Sequence, residues 1–182
     1  MADELIDICD ESNSLTGFQK MKSEAHRKGL WHRAAHIWIY SSDGKILLQL
    51  RAKEKSFCPG VWDKAVAGHV SANEEPLTAA LREMEEEIGL KVEIEDLKFY
   101  KIIKGSIIYD NINNNEFYYV YFLKFDGNID ELVLQTEEVQ KIKFFSSEMI
   151  EKGVKKNPDK YVPHGKYWIE ALRGIKEILY KS

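Results

Sequence analysis

Three glutamates in this chain are spaced for chemistry. Glu83, Glu86 and Glu87 lie at i, i+3 and i+4 within a segment of helical periodicity, so their side chains leave neighbouring positions on one patch, while Glu85 points elsewhere. Three anions so placed repel one another by roughly 0.2–0.5 kcal/mol per pair on an exposed helix. They also lie toward the C-terminal end of the helix, where its dipole disfavours negative charge. The arrangement is unfavourable unless a cation occupies it. Carboxylate oxygens suit Mg²⁺ or Mn²⁺, and Mg²⁺ typically takes one or two carboxylates together with substrate phosphate oxygens. Taken alone, a Glu-rich helix also reads as a solvated acidic face.

The helix that carries them is predicted over about 75–88. Leu77, Ala80, Leu81, Met84 and Ile88 recur at helical spacing and form its buried stripe. Asn73 is the expected N-cap, Pro76 suits the first turn, and Gly89 stands where a left-handed C-cap belongs. Around it the chain reads mostly as strands. Residues 4–11 partly alternate, and Leu15-Thr16-Gly17 reads as a turn. Residues 35–40 and 46–50 flank Ser42-Asp43-Gly44, a strong hairpin signal. A short strand of small residues covers 65–70. Further strands are expected at 91–104, 107–109, 117–125 and 139–145, with a short helix at 147–152. An amphipathic helix over 167–180 closes the chain, with Ile169, Leu172, Ile175, Ile178 and Leu179 at helical spacing. Strands, one internal helix, more strands and a final helix predict an α+β fold. It is a mixed sheet packed between helices, with an N-terminal strand or hairpin extension, and residues 1–182 form one domain.

Gly68, Glu74 and Arg82-Glu83-Met84-Glu85-Glu86-Glu87-Ile88-Gly89-Leu90 fill every fixed position of the pattern G-x5-E-x7-R-E-U-x-E-E-x-G-U, with U aliphatic. At average residue usage a chance match has odds on the order of one in a million or less. The segment 68–90 therefore resembles a complete Nudix box. The resemblance implies a loop–helix–loop on an α/β/α sandwich and hydrolysis of a diphosphate linkage. It makes Glu83, Glu86 and Glu87 the metal ligands, completed by the backbone carbonyl near Gly68. It makes Arg82 an orienting residue paired with a carboxylate, for which Glu74 is the candidate. The general base would be a carboxylate near the metal: Glu83, Glu86 or, from outside the box, Glu116.

The residues before the box narrow the resemblance. His26 to Arg33, Ala35 to Ile39, Leu48 to Arg51, Lys55, Pro59 to Asp63 and Ala67 to Val70, with Asn114-Asn115-Glu116, are similar to the isopentenyl-diphosphate-isomerase-like branch of the Nudix superfamily, over residues 3–150. Isomerases of that kind use a cysteine just before the Gly-His pair to protonate carbon. Alanine at position 67 cannot do that work. Asn114 stands where they carry a glutamate, and their Nudix helix is commonly degenerate whereas this one is intact. The three departures favour hydrolysis over isomerisation, with a non-catalytic nucleotide-sensing module as a third reading. Within this branch His32, His69 and Glu116 match metal-site positions and His26 lies near another. His26, His32 and Glu116 are thus candidates for a second metal, and His69 also for contact with substrate. The plainer expectation has His69 packing beside the box and His26 and His32 hydrogen-bonding in a turn. Arg51 and Lys55 are expected either to meet substrate phosphates or to form surface salt bridges. His36 and His164 read as structural or solvated.

The whole-chain properties agree. With 44% hydrophobic and 31% charged residues, the 182-residue chain can build a core and stay in solution. A net charge of -4 offers no broad footprint for a nucleic-acid polymer. No apolar run approaches a membrane span, and the acidic start Met-Ala-Asp-Glu lacks a signal-peptide pattern, so the expected location is the cytoplasm. Cys9 and Cys58 make no zinc motif and read as plain thiols. The expected partner is a small-molecule diphosphate, handled with Mg²⁺ or Mn²⁺ by a monomer or homodimer.

Overall fold

The computed structural model describes residues 3–181. Nine strands and four α-helices follow one another: β1 (Leu5–Cys9), β2 (Leu15–Met21), α1 (Lys22–Lys28), β3 (His32–Tyr40), β4 (Lys45–Arg51), β5 (Trp62–Lys64), β6 (Val66–His69), α2 (Pro76–Ile88), β7 (Leu97–Tyr109), β8 (Ile112–Lys124), β9 (Val139–Ser146), α3 (Ser147–Lys156) and α4 (Lys166–Lys181). Strands β1 and β2 form a two-stranded antiparallel sheet, the expected N-terminal extension. The other seven form one mixed sheet, in which β3 and β8 run parallel and the remaining pairs are antiparallel.

Strand β3 explains the layering. Its residues Arg33 apart are all buried, which suits a strand covered on both faces. Because successive side chains alternate, Ala35, Ile37 and Ile39 pack with Ala79, Ala80, Met84 and Ile88 of α2. Ala34, Trp38 and Tyr40 face the other way, against Trp168, Ala171, Leu172 and Ile175 of α4 and Ile150 of α3. The Tyr167 hydroxyl ties the second layer to the strand, lying 2.8 Å from Trp38 Nε1, which donates to it, and 3.0 Å from His36 Nδ1. Helices therefore cover both faces, as the order of elements predicts. No helix among the described residues is long and apolar enough to cross a membrane.

Several local expectations are corrected. Leu15-Thr16-Gly17 opens β2 instead of turning; the turn comes earlier, where the Asp10 carboxylate accepts from the Ser12 and Ser14 amides. Asn73 does not cap α2. It adopts a left-handed φ of 63° and its amide donates to Asp7, leaving Glu75 at the N-cap without a side-chain cap bond. Residues 91–96 are not strand, because Glu93 and Asp96 close a capping box around a short 3₁₀ turn. The segments 91–104 and 107–109 then resolve into one long β7 paired with β8. Helix α3 runs to Lys156, past the expected 152.

Candidate functional site

The register of β3 with its neighbours assembles the site. Antiparallel pairing sets Ala34 opposite His69 and Ala35 opposite Gly68. Parallel pairing sets His32 opposite Glu116. The turn after β6 then leads into α2, which ends on Gly89, whose φ of 67° gives the left-handed C-cap. The three box glutamates thereby line one cavity with Gly68, although they are not equivalent. Glu83 and Glu87 are buried at 9% and 2% exposure, while Glu86 is exposed.

Gly68 is required by this geometry. A Cβ there would overlap the Glu83 carboxyl. Arg82 organises the group. Its Nε and NH2 donate to the two Glu74 carboxylate oxygens at 3.0 and 2.9 Å, its NH1 donates to Glu83 Oε1 at 2.7 Å and Glu86 Oε2 at 3.1 Å, and NH2 also reaches the His69 carbonyl at 3.0 Å. Arg82 is thus fully engaged in holding carboxylates. Gln49 Nε2 donates to Glu87 Oε2 at 3.0 Å. Burial, followed by the charge of Glu87, pushes the Glu83 carboxyl up to about 7. Burial likewise raises Glu87, against the pull of Lys55 and Arg51. Two buried carboxyls held above their ordinary range mark negative charge that the surrounding protein does not fully compensate.

Arg51 and Lys55 are not surface groups. Arg51 is 6% exposed; its guanidinium donates to the Phe57 and Cys58 carbonyls and lies 3.5 Å from Asp63. Lys55 pairs with Glu138, and burial lowers its ammonium to about 8.

A second cluster adjoins the first. The rings of His26, His32 and His69 lie with centroids 5.2–5.3 Å apart. One nitrogen from each falls within 4.8 Å of the others. All three Nε2 atoms are buried without a hydrogen-bond partner. Glu116 Oε1 lies 3.3 Å from His69 Nε2 and 3.6 Å from His32 Nε2. His32 Nδ1 faces the Leu30 carbonyl at 2.9 Å, which fixes its ring so that Nε2 points to the cluster. Burial lowers His26 to about 3 and His69 to about 4. Burial pushes Glu116 up, but the facing His32 and His69 rings outweigh it and hold the carboxyl well below its ordinary range. Neutral His26 and His69 imidazoles beside an ionised carboxylate are protonation states that suit a divalent cation. The turn-bonding expected of His26 and His32 holds only for His32 Nδ1. His69 joins the histidines instead of merely packing beside the box.

One cavity of about 990 Å³ joins both clusters. Glu83, Glu86, Glu87, His26, His69, Glu116, Arg51 and Lys55 all line it. So do three residues that sequence reasoning missed or misplaced: Asp63, Lys64 and His164. His164 is neither exposed nor solvated, since its side chain is 4% exposed and its Nε2 lies 3.0 Å from Asp63 Oδ1. Its loop position concealed this, because α4 folds that loop over the sheet.

Comparison with known proteins places this arrangement. The family described as "NUDIX domain" matches residues 30–169. The chain belongs to the Nudix family. Nudix hydrolase 3 of Arabidopsis thaliana is 37% identical over 90% of this chain, which spans only 22% of that protein's length. Isopentenyl-diphosphate Delta-isomerase 1 of Aromatoleum aromaticum is 31% identical over 94% of this chain and 90% of its own. A Deinococcus radiodurans protein of known structure superposes with a TM-score of 0.70 at 22% identity, covering 93% of this chain and 98% of that one, which shows the Nudix fold. Relatives in this family thus include hydrolases and isomerases, as the sequence resemblance implies.

Proposed function

We propose that this Nudix chain is a Mg²⁺-dependent hydrolase that cleaves the phosphoanhydride bond of a small organic diphosphate. The observation that carries this reading is the pair Glu83 and Glu87, both buried on one cavity with carboxyls raised above their ordinary range, Glu83 directly against Gly68. Glu83, Glu86 and Glu87 fit a hard divalent cation, with the Gly68 carbonyl as a further oxygen donor. When bound, Mg²⁺ supplies neutralisation of diphosphate charge and activation of water.

The remaining roles belong to the chain. Arg51 and Lys55 present buried cations to the diphosphate oxygens. Arg82, held by Glu74, keeps Glu83 and Glu86 in place. A water loses its proton to Glu83 or Glu86 and attacks phosphorus. The anhydride P–O bond breaks, leaving an organic monophosphate and inorganic phosphate. Glu116 is the weaker candidate for base because the facing His32 and His69 rings hold its carboxyl well below the ordinary range, which makes it a poor proton acceptor. With His26, His32 and His69 it instead fits a second divalent ion, whose nitrogen donors are already buried and unpartnered.

Isomerisation of isopentenyl diphosphate is the second reading. The histidine cluster and the relatives named as isomerases favour it. Ala67 weighs against it, because alanine lines the cavity where a proton donor to carbon would have to stand. Incubation with isopentenyl diphosphate and Mg²⁺ separates the two. Appearance of dimethylallyl diphosphate would overturn the hydrolase reading, and a nucleoside diphosphate panel yielding monophosphate and phosphate would uphold it.

A further inference from the structure

The cavity has a buried wall that the chemistry above does not use. Lys64 and Asp63 on β5 are 1% and 2% exposed, and His164, in the loop before α4, joins them. The Lys64 ammonium lies 3.0 and 3.2 Å from the two Asp63 oxygens and 2.9 Å from His164 Nε2. Asp63 also faces Arg51 at 3.5 Å, so one carboxylate serves two cations. His164 Nδ1 is buried without a partner, and so is Asn114 Oδ1 on the same cavity. His36 and Ala67, directly paired across β3 and β6, complete this side.

Such a wall suits only one kind of ligand. An alkyl or alkenyl group against it would leave an imidazole nitrogen and an amide oxygen buried without any hydrogen bond, an uncompensated cost. A hydroxylated group meets both needs, since its hydroxyls pair with His164 Nδ1 and donate to Asn114 Oδ1, while Lys64, whose three hydrogens face Asp63 and His164 Nε2, holds that imidazole in place. We propose that Lys64, Asp63, His164 and Asn114 form a hydrogen-bonding subsite for an oxygen-rich organic moiety, such as a sugar, attached to the diphosphate, and that this subsite rejects isoprenoid tails. The inference rests on the diphosphate reading above for the placement of the other end of the ligand.

The test uses two five-carbon monoester diphosphates, ribose 5-diphosphate and isopentenyl diphosphate, each measured in Mg²⁺ by calorimetry and by phosphate release. In the unmodified protein the sugar diphosphate binds at least tenfold more tightly. Lys64→Met removes at least that tenfold advantage while leaving the affinity for isopentenyl diphosphate within about threefold. Equal affinities in the unmodified protein overturn the subsite even if phosphate is released from both. Tight, selective binding without phosphate release upholds the subsite and overturns the hydrolase reading instead. The comparison in the unmodified protein decides the matter even if the variant fails to fold.

Discussion

Gly68 and Glu83 occupy a single space: the absent side chain of one is filled by the carboxyl of the other. The strand β6 can bring its backbone against α2 only because position 68 has no Cβ. Gly68→Ala must push Glu83 aside or displace the strand, an overpacking that costs roughly 1–3 kcal/mol. The expected result is a folded protein by circular dichroism with kcat/KM for diphosphate cleavage at least 100-fold lower. Unchanged activity would remove Glu83 from the site.

The Glu83 carboxyl gives a pH signature in metal-free protein. Its folded pKa, about 7, stands above the ordinary 4.5, so the folded state binds this proton more tightly than the unfolded state. Its stabilising contribution is complete below pH 4.5 and is lost as pH rises through 7. In the presence of chelator, Glu83→Gln should therefore gain Tm relative to the unmodified protein between pH 5 and pH 8, by an amount corresponding to about 1–3 kcal/mol. Comparing the two proteins at each pH cancels the opposite trend from His26 and His69, whose lowered values favour the fold as pH rises.

The histidine cluster predicts a metal response separable from that of the glutamates. Zn²⁺, which suits imidazole nitrogen better than Mg²⁺ does, should raise Tm at micromolar concentration, since anything that binds only the folded state stabilises it. His32→Gln, which removes the fully buried ring, should abolish that rise. Glu86→Gln should preserve it. Equal responses in both variants would mean that the metal binds elsewhere.

Asp63 holds two buried cations, Lys64 and Arg51. Asp63→Asn leaves both undercompensated, and breaking a buried pair typically costs about 3–5 kcal/mol. Urea denaturation should show a loss of that order, with the slope of the transition unchanged.

The sequence discloses the chemistry of this site better than its surroundings, for physical reasons. The helix of α2 and the glutamate spacing follow from short-range periodicity, and the Glu74–Arg82 pair follows from the box. The sandwich follows from the order of strands and helices and from the box, and β3, buried on both faces, bears it out. Groupings that depend on long-range pairing have no local signal, and the histidine cluster is legible only through the family resemblance. His26, His32, His69 and Glu116 converge only through the register of β3 with β6 and β8 and through α1, a seven-residue helix with a single buried residue and thus no periodic signal. Lys64 and His164 are 100 positions apart and meet only when the loop before α4 closes over the sheet. Even Asn73, by composition a good cap, is diverted by a partner on β1.

The central claim, that the carboxylates of α2 hold the ion that drives diphosphate cleavage, is tested most directly by phosphate release from ribose 5-diphosphate and nucleoside diphosphates as Mg²⁺ is titrated. Release should rise from background with Mg²⁺ in the unmodified protein and fall at least 100-fold in Glu86→Gln and Glu87→Gln at saturating Mg²⁺. Release that is independent of Mg²⁺, or that survives both substitutions, would contradict it.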